Sequence, residues 1–335
     1  MSTSLASRLA SLGLVLWIGL APVLARAQSD ADLQAWLLKA HDASRARAYT
    51  GTFVVSAGSA MSSAKIWHIC DGTQQMERIE TLNGPPRATF RRDDQVVTFY
   101  PESKRAVSER RETLGLFPGL LRKADSKLGN YYRLRRLGVD RVVGLEAEVA
   151  QLVPKDRLRY GYKVWSDRKS GLVLRLQTLD AQGQVLEQSA FSELQLDAPV
   201  SMAKLASMMA ATEGYQVVHP DVQRVDAKSQ GWVLAQSVAG FKPLGCFQRK
   251  PEGGEAAGGP SAAQGMQCLF SDGLAHVSLF LSPYDGRRNV REGAAELGGA
   301  THSLSRRLAD WWLVAVGEVP LLTLHSFASA LERSN

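Results

Sequence analysis

Apolar and polar positions alternate along most of the chain, and the alternation is interrupted at short intervals by glycine, proline or paired acids. A period of two predicts strands over residues 50–56, 65–70, 76–82, 87–91 and 96–100, with Asn83-Gly84-Pro85-Pro86 and Arg92-Asp93-Asp94 as breaks. It predicts further strands over 159–165, 172–179 and 184–196, joined through residues 167–171 and Gln182-Gly183. In the first of these, Tyr160, Tyr162 and Val164 share one face, and Arg159 and Lys163 the other, the mark of a half-buried antiparallel sheet. Two stretches depart from the strand period. Leu33, Trp36, Leu37 and Ala40 recur at helical spacing behind Asp30, which predicts a short helix capped by that aspartate. Residues 112–130 carry Leu114, Leu116, Phe117, Leu120 and Leu121 around Pro118-Gly119, which predicts one or two short helices over the sheet.

A break at Asp197-Ala198-Pro199 ends this pattern. Residues 201–228 read as a linker with a helical stretch at 202–209 and a His219-Pro220-Asp221 punctuation. Residues 229–335 then read as strand, glycine-rich loop (251–264), strand, strand, helix, strand, helix. The expected fold class is α+β and mainly antiparallel. A large domain spans 28–200, and a smaller α+β domain spans 229–335.

The N-terminus changes the setting. Residues 9–20 are almost wholly apolar, and Ala25-Arg26-Ala27 follows, which reads as a signal peptide over residues 1–27. Export to the periplasm is the expectation. Loss of Arg8 and Arg26 with the leader takes the formal charge from +7 to +5. A basic protein favours anionic partners, and export argues against nucleic acid among them.

Three cysteines, Cys70, Cys246 and Cys268, fall in an oxidising compartment. Cys246 and Cys268 flank the glycine-rich loop in two strand-like segments. Facing each other across a hairpin they could form a disulfide; otherwise they are two buried thiols. The sequence carries no hydrolase elbow, zinc-protease helix, P-loop or dinucleotide glycine pattern, and its six histidines have no ligand spacing. No catalytic residues, metal or cofactor are expected.

Several stretches, spread over nearly the whole chain, resemble the MucB/RseB family of sigma-E regulatory proteins. They are Asn83-Gly84-Pro85-Pro86-Arg87, Asp140-Arg141-Val142-Val143-Gly144, and Pro154-Lys155-Asp156 running into Arg159-Tyr160-Gly161-Tyr162 and Trp165-Ser166-Asp167. Further on they are Ser271-Asp272-Gly273-Leu274-Ala275 and Val316-Gly317-Glu318-Val319-Pro320. Leu145 stands where the family pattern has an arginine. The resemblance implies a lipoprotein-carrier-like curved sheet, a half-barrel closed by helices over an apolar cavity. It also implies a function: binding the periplasmic part of a transmembrane anti-sigma factor, shielding it from regulated proteolysis, and releasing it when lipid or lipopolysaccharide binds. The alternative is a periplasmic lipid or lipoprotein carrier, for which the second domain would be superfluous. A homodimer is compatible with the sequence and not required by it.

Candidate lipid-lining residues are Trp36, Leu37, Phe53, Trp67, Phe99, Leu116, Phe117, Tyr132 and Tyr162, with Arg110, Arg111 and Arg122 as phosphate partners. The same side chains could equally fill a core, and the arginines could be a solvated face. Residues 87–136 hold 13 Lys/Arg against 6 Asp/Glu, which favours an anionic ligand there. For the partner, the resemblance points to a groove between the domains, walled by Ser271, Asp272, Leu274, Val277 and Phe280 and by Trp311 and Trp312.

Overall fold

The computed structural model describes residues 21–110, 117, 128–249, 265–289 and 291–334. Helix α1 (Ala21–Ala46) is longer than the sequence pattern predicts: Asp30 lies inside it rather than at its start. The residues before Asp30 include Ala, Leu and Arg, strong helix formers that carry the helix through the expected cleavage site.

Twelve strands follow in one open sheet: β1 (Tyr49–Ala57), β2 (Ala60–Cys70), β3 (Gln75–Thr81), β4 (Ala88–Arg92), β5 (Gln95–Tyr100), β6 (Arg105–Arg110), β7 (Tyr132–Val142), β8 (Leu145–Pro154), β9 (Gly161–Asp167), β10 (Val173–Leu179), β11 (Val185–Leu196) and β12 (Gln216–Val218). Their order is β12-β6-β5-β4-β3-β2-β1-β11-β10-β9-β8-β7, so β1 joins two meanders and the edges are β12 and β7. The sheet is curved and does not close, as the lipoprotein-carrier expectation requires. Strand β6, absent from the predicted set, continues the β5 hairpin.

Alternation on β2 sorts the two faces. Ile66 packs with Tyr49, Phe191 and Ala43 of α1. Trp67 and Ile69, pointing the other way, pack with Met76, Phe90 and Phe99 under helix α2 (Met202–Ala210), capped by the Ser201 side chain. The helices therefore cover opposite faces at different parts of the sheet. The segment read as a linker is tied down at both ends. Leu205 and Met209 of α2 are buried on the first sheet, and β12 pairs in parallel with β6.

The second unit holds β13 (Val222–Val225), β14 (Trp232–Leu234), β15 (Lys242–Arg249), β16 (Met266–Ser271), β17 (His276–Pro283), β18 (Gly293–Gly298), β19 (Thr301–Leu308), β20 (Trp311–Gly317), α3 (Leu321–Ala330) and β21 (Leu331–Arg333). Seven of its strands form a sheet in the order β13-β15-β16-β17-β20-β19-β18, with Phe327 and Leu324 of α3 fully buried against it. Where the sequence pattern placed a helix between two strands, the chain makes the β18–β19 hairpin. Ala294-Ala295-Glu296-Leu297 has helical propensity, but Gly298 (φ +108) and Gly299 (φ +58) turn the chain back so that β18 pairs with β19. Cys246 and Cys268 are direct partners on β15 and β16 and form a disulfide, with Cα atoms 4.0 Å apart. Among the described residues no helix is long and apolar enough to cross a membrane.

Candidate functional site: the seam between the two domains

The turn between β16 and β17 is built by its own sequence. Ser271 Oγ donates to the Ala275 carbonyl and accepts from the Gly273 amide. Asp272 Oδ1 accepts from the amides of Leu274 and Ala275 at 2.9 and 2.8 Å, a tight Asx arrangement. Gly273 takes φ +107 at its apex, a conformation that side chains disfavour. The second carboxylate oxygen and the Leu274 side chain are thereby aimed out of the second domain and into the first.

Asp272 Oδ2 accepts from Arg159 Nη1 at 2.6 Å and from the Tyr132 hydroxyl at 3.0 Å. Arg159 is fully engaged: its Nε donates to Asp156 Oδ1 and Oδ2, and its Nη2 donates to the Ala239 carbonyl at 2.7 Å. The guanidinium also lies over Tyr131, at 4.6 Å, and Phe241, at 5.3 Å from the ring centres. Burial alone would favour the neutral guanidine, but the Asp156 hydrogen bond and the Asp272 charge outweigh it and hold Arg159 protonated. Tyr132 is pushed well above its ordinary value, chiefly by burial and then by the neighbouring Tyr162 and Asp272. Gly240 (φ +86) passes so close that a Cβ there would sit 2.9 Å from both terminal nitrogens of Arg159.

Leu274 completes the seam. It belongs to the second domain, yet it packs in the cluster of Leu33, Trp36, Leu37, Tyr132, Tyr162 and Leu152 in the first. Thr323 Oγ1 of α3 donates to the Leu158 carbonyl at 2.6 Å. Further along, Gly299 lies against Ala57 and Glu187, and Tyr160 approaches His302. Burial, and then the Glu187 charge, raise Glu318 to about 7. A surface cavity of about 380 Å³ opens beside the seam, lined by Leu158 of the first domain and by Val238, Ala239, Ser326, Ser329 and Glu332 of the second.

The sequence-derived site residues distribute as follows. Trp36, Leu37, Tyr132 and Tyr162 meet in one packed cluster beside α1, with Phe117 against it. Phe53 and Phe117 meet Phe191 in the adjoining cluster, with ring centres 5.6 and 5.1 Å from Phe117. Trp67 and Phe99 lie on the opposite face, under α2. Arg110 is exposed, 3.8 Å from Asp94. Leu116, Arg111, Arg122 and most of the predicted helices at 112–130 lie outside the described residues. On the partner side, Ser271, Asp272, Leu274 and Val277 are buried in the seam or the core, whereas Phe280 and Trp311 are only partly covered. Trp312 is buried beside Tyr284, and Trp311 meets Trp232 edge-on under Arg333. The sequence reading put Arg159 on a polar outer face; it is buried instead, because the chain enters β9 from the seam. Arg159 and Glu318 both stand in stretches that resemble the MucB/RseB family, and that resemblance is the signal by which the sequence marks them.

The MucB/RseB N-terminal domain model matches residues 32–209, and the MucB/RseB C-terminal domain model matches residues 226–332. The chain belongs to the MucB/RseB family. The sigma factor AlgU regulatory protein MucB of Pseudomonas aeruginosa is 30% identical over 312 residues, 91% of this chain and 92% of that protein. The sigma-E factor regulatory protein RseB of Haemophilus influenzae is 32% identical over 149 residues, 44% of this chain and 47% of that protein. Among solved structures, MucB in complex with MucA(peri) superposes with a TM-score of 0.67 at 28% identity, covering 90% of this chain and 98% of that one. The Pseudomonas aeruginosa MucA/MucB complex gives 0.69 at 27% identity, covering 91% and 99%. Both MucB/RseB modules are thus present here, joined by the Arg159–Asp272 seam.

Proposed function

We propose that this protein is a periplasmic regulatory binding protein, not an enzyme. It holds the periplasmic segment of a transmembrane anti-sigma factor, keeps that segment from regulated proteolysis, and lets it go when lipid or lipopolysaccharide binds. The observation that carries the reading is the match to MucB over 91% of the chain, together with solved structures of MucB in complex with MucA(peri) and of the MucA/MucB complex. The seam supplies a physical route for release. Tyr132 joins the aromatic cluster beside α1 to Asp272, so a ligand that displaced that cluster would act directly on the domain contact. Release then requires negative coupling, and by linkage the partner must weaken lipid binding by the same factor.

The test is capture of the periplasmic fragment of the host's membrane anti-sigma factor by residues 28–335, with and without lipopolysaccharide. Capture reversed by lipopolysaccharide is the expected result. Capture that lipopolysaccharide leaves unchanged would remove the lipid-release half of the proposal. Lipid binding without capture would return the protein to the carrier reading.

A further inference from the structure

Among the described residues, strand β7 is one of the two edges of the large sheet and is hydrogen-bonded only to β8. From residue 135 to 141 every position on it is exposed. Such an edge presents a row of backbone N–H and C=O groups open to another strand. Proteins blunt such edges with charge and with bulges. Both occur here: Arg133, Arg135, Arg136 and Arg141 on the strand, and an irregularity between Arg136 and Gly138. These devices bar a second copy of this edge, because arginine would be set against arginine. They do not bar a strand of opposite charge.

The arginines are underused within the chain. The carboxylate opposite Arg141 in register is Glu146, which pairs with Arg168 at 3.0 Å instead. Glu148 lies 3.8 Å from Arg136. Asp140, the single acid of the strand, receives the Trp165 indole N–H at 2.9 Å. Among the described residues, Arg133, Arg135 and Arg141 have no carboxylate within ion-pair distance. Between the cations stand two exposed apolar side chains, Leu137 (39% exposed) and Val139 (57%). The edge is thus cationic with apolar teeth.

We infer that β7 is a docking edge for an extended peptide that carries both acidic and apolar residues, which adds a further strand beside β7 through main-chain hydrogen bonds. Carboxylates of the added strand meet Arg135 and Arg141, and its apolar residues cover Leu137 and Val139. Backbone pairing supplies affinity and side-chain complementarity supplies choice of partner. This deepens the proposed function, on which it rests, by giving the anti-sigma segment a place to bind and a required chemistry.

The test follows amide hydrogen exchange across 132–142 of the mature chain on addition of three probes: the host's anti-sigma periplasmic fragment, a synthetic Glu/Val peptide with glutamates placed on both faces, and phosphatidylglycerol vesicles. Wild type is compared with Arg135→Glu/Arg141→Glu, whose exposed positions leave the fold intact by circular dichroism. The expected result is protection of the β7 amides by the fragment and the peptide, and at least a tenfold loss of affinity in the double variant. A bound fragment with no β7 protection and unchanged affinity in the variant overturns the edge while leaving the proposed function standing. β7 protection by the peptide alone keeps the edge and rejects the anti-sigma segment as its occupant. No protection by either, or protection by vesicles alone, overturns the inference.

Discussion

Arg159 and Asp272 meet at 2.6 Å across the two domains, and neither side chain has any solvent exposure. Each charge was removed from water to make this contact. The contact is sustained by the hydrogen bonds that saturate both groups: Asp156 and Ala239 on one side, Tyr132 and the amides of Leu274 and Ala275 on the other. A buried pair of this kind adds little against a well-packed apolar substitute, but losing one partner is expensive. Its consequence is specificity of domain placement.

Asp272→Asn removes the fully buried carboxylate from Arg159 and leaves the partly exposed Asp156 as its counter-ion. The expected loss is about 3–5 kcal/mol of stability. Arg159→Met added to Asp272→Asn, which keeps the acceptor for the Leu274 and Ala275 amides, is expected to recover part of it. Chemical denaturation of the two variants and the wild type measures both, and a mild single variant would show that the seam is open to water.

Leu274→Ala takes a second-domain side chain out of the first-domain core. The expected cost is about 2–5 kcal/mol. The same change is expected to speed proteolysis at 211–215 and 219–221, between the elements tied to each sheet. Limited proteolysis followed by mass spectrometry reads this directly.

Cys246→Ala with Cys268→Ala opens a bridge between residues 22 apart in sequence. Loop-closure entropy gives an expected loss of about 3 kcal/mol. The loss falls on the second domain, where both sulfurs are buried in the sheet core. Calorimetry with and without reductant should show the second domain melting earlier and the first unchanged.

Two buried groups give stability opposite slopes with pH. Burial lowers His68, stacked on Tyr49 and bonded through Nδ1 to the Arg47 carbonyl, from its ordinary 6.5. The unfolded chain then binds the extra proton first, so this contribution is present above 6.5 and is lost as pH falls. Burial and the Glu187 charge raise Glu318 from 4.5 to about 7, so the folded chain keeps a proton that the unfolded chain has shed. That contribution is present below 4.5 and is lost as pH rises to 7. Glu318→Gln is therefore expected to gain stability over wild type at about pH 8 and to match it near about pH 4. Melting temperatures of both proteins across that range test it.

Most strands could be read from the chain because period-two alternation reports a buried face wherever a sheet is covered on one side. The Cys246–Cys268 bridge was legible as one of two readings for a similar reason: a hairpin brings its flanks into register. The failures came where local and distant signals compete. Ala294-Ala295-Glu296-Leu297 favours a helix locally, and its pairing with β19 decides otherwise. The aromatics set in one lipid-lining group belong to three clusters on two faces. Alternation gives a residue's side of its own strand, but not which helix covers that side.

The sequence by itself determined most of the strands and, through its motifs, the family, because each is written in neighbouring residues. The tertiary structure alone decided the seam and the bare β7 edge. Arg159 and Asp272 are 113 positions apart, and their burial exists only once both domains are folded and docked. Among the described residues, β7 pairs on one side alone because of its place in the strand order, which depends on all twelve strands of the sheet together.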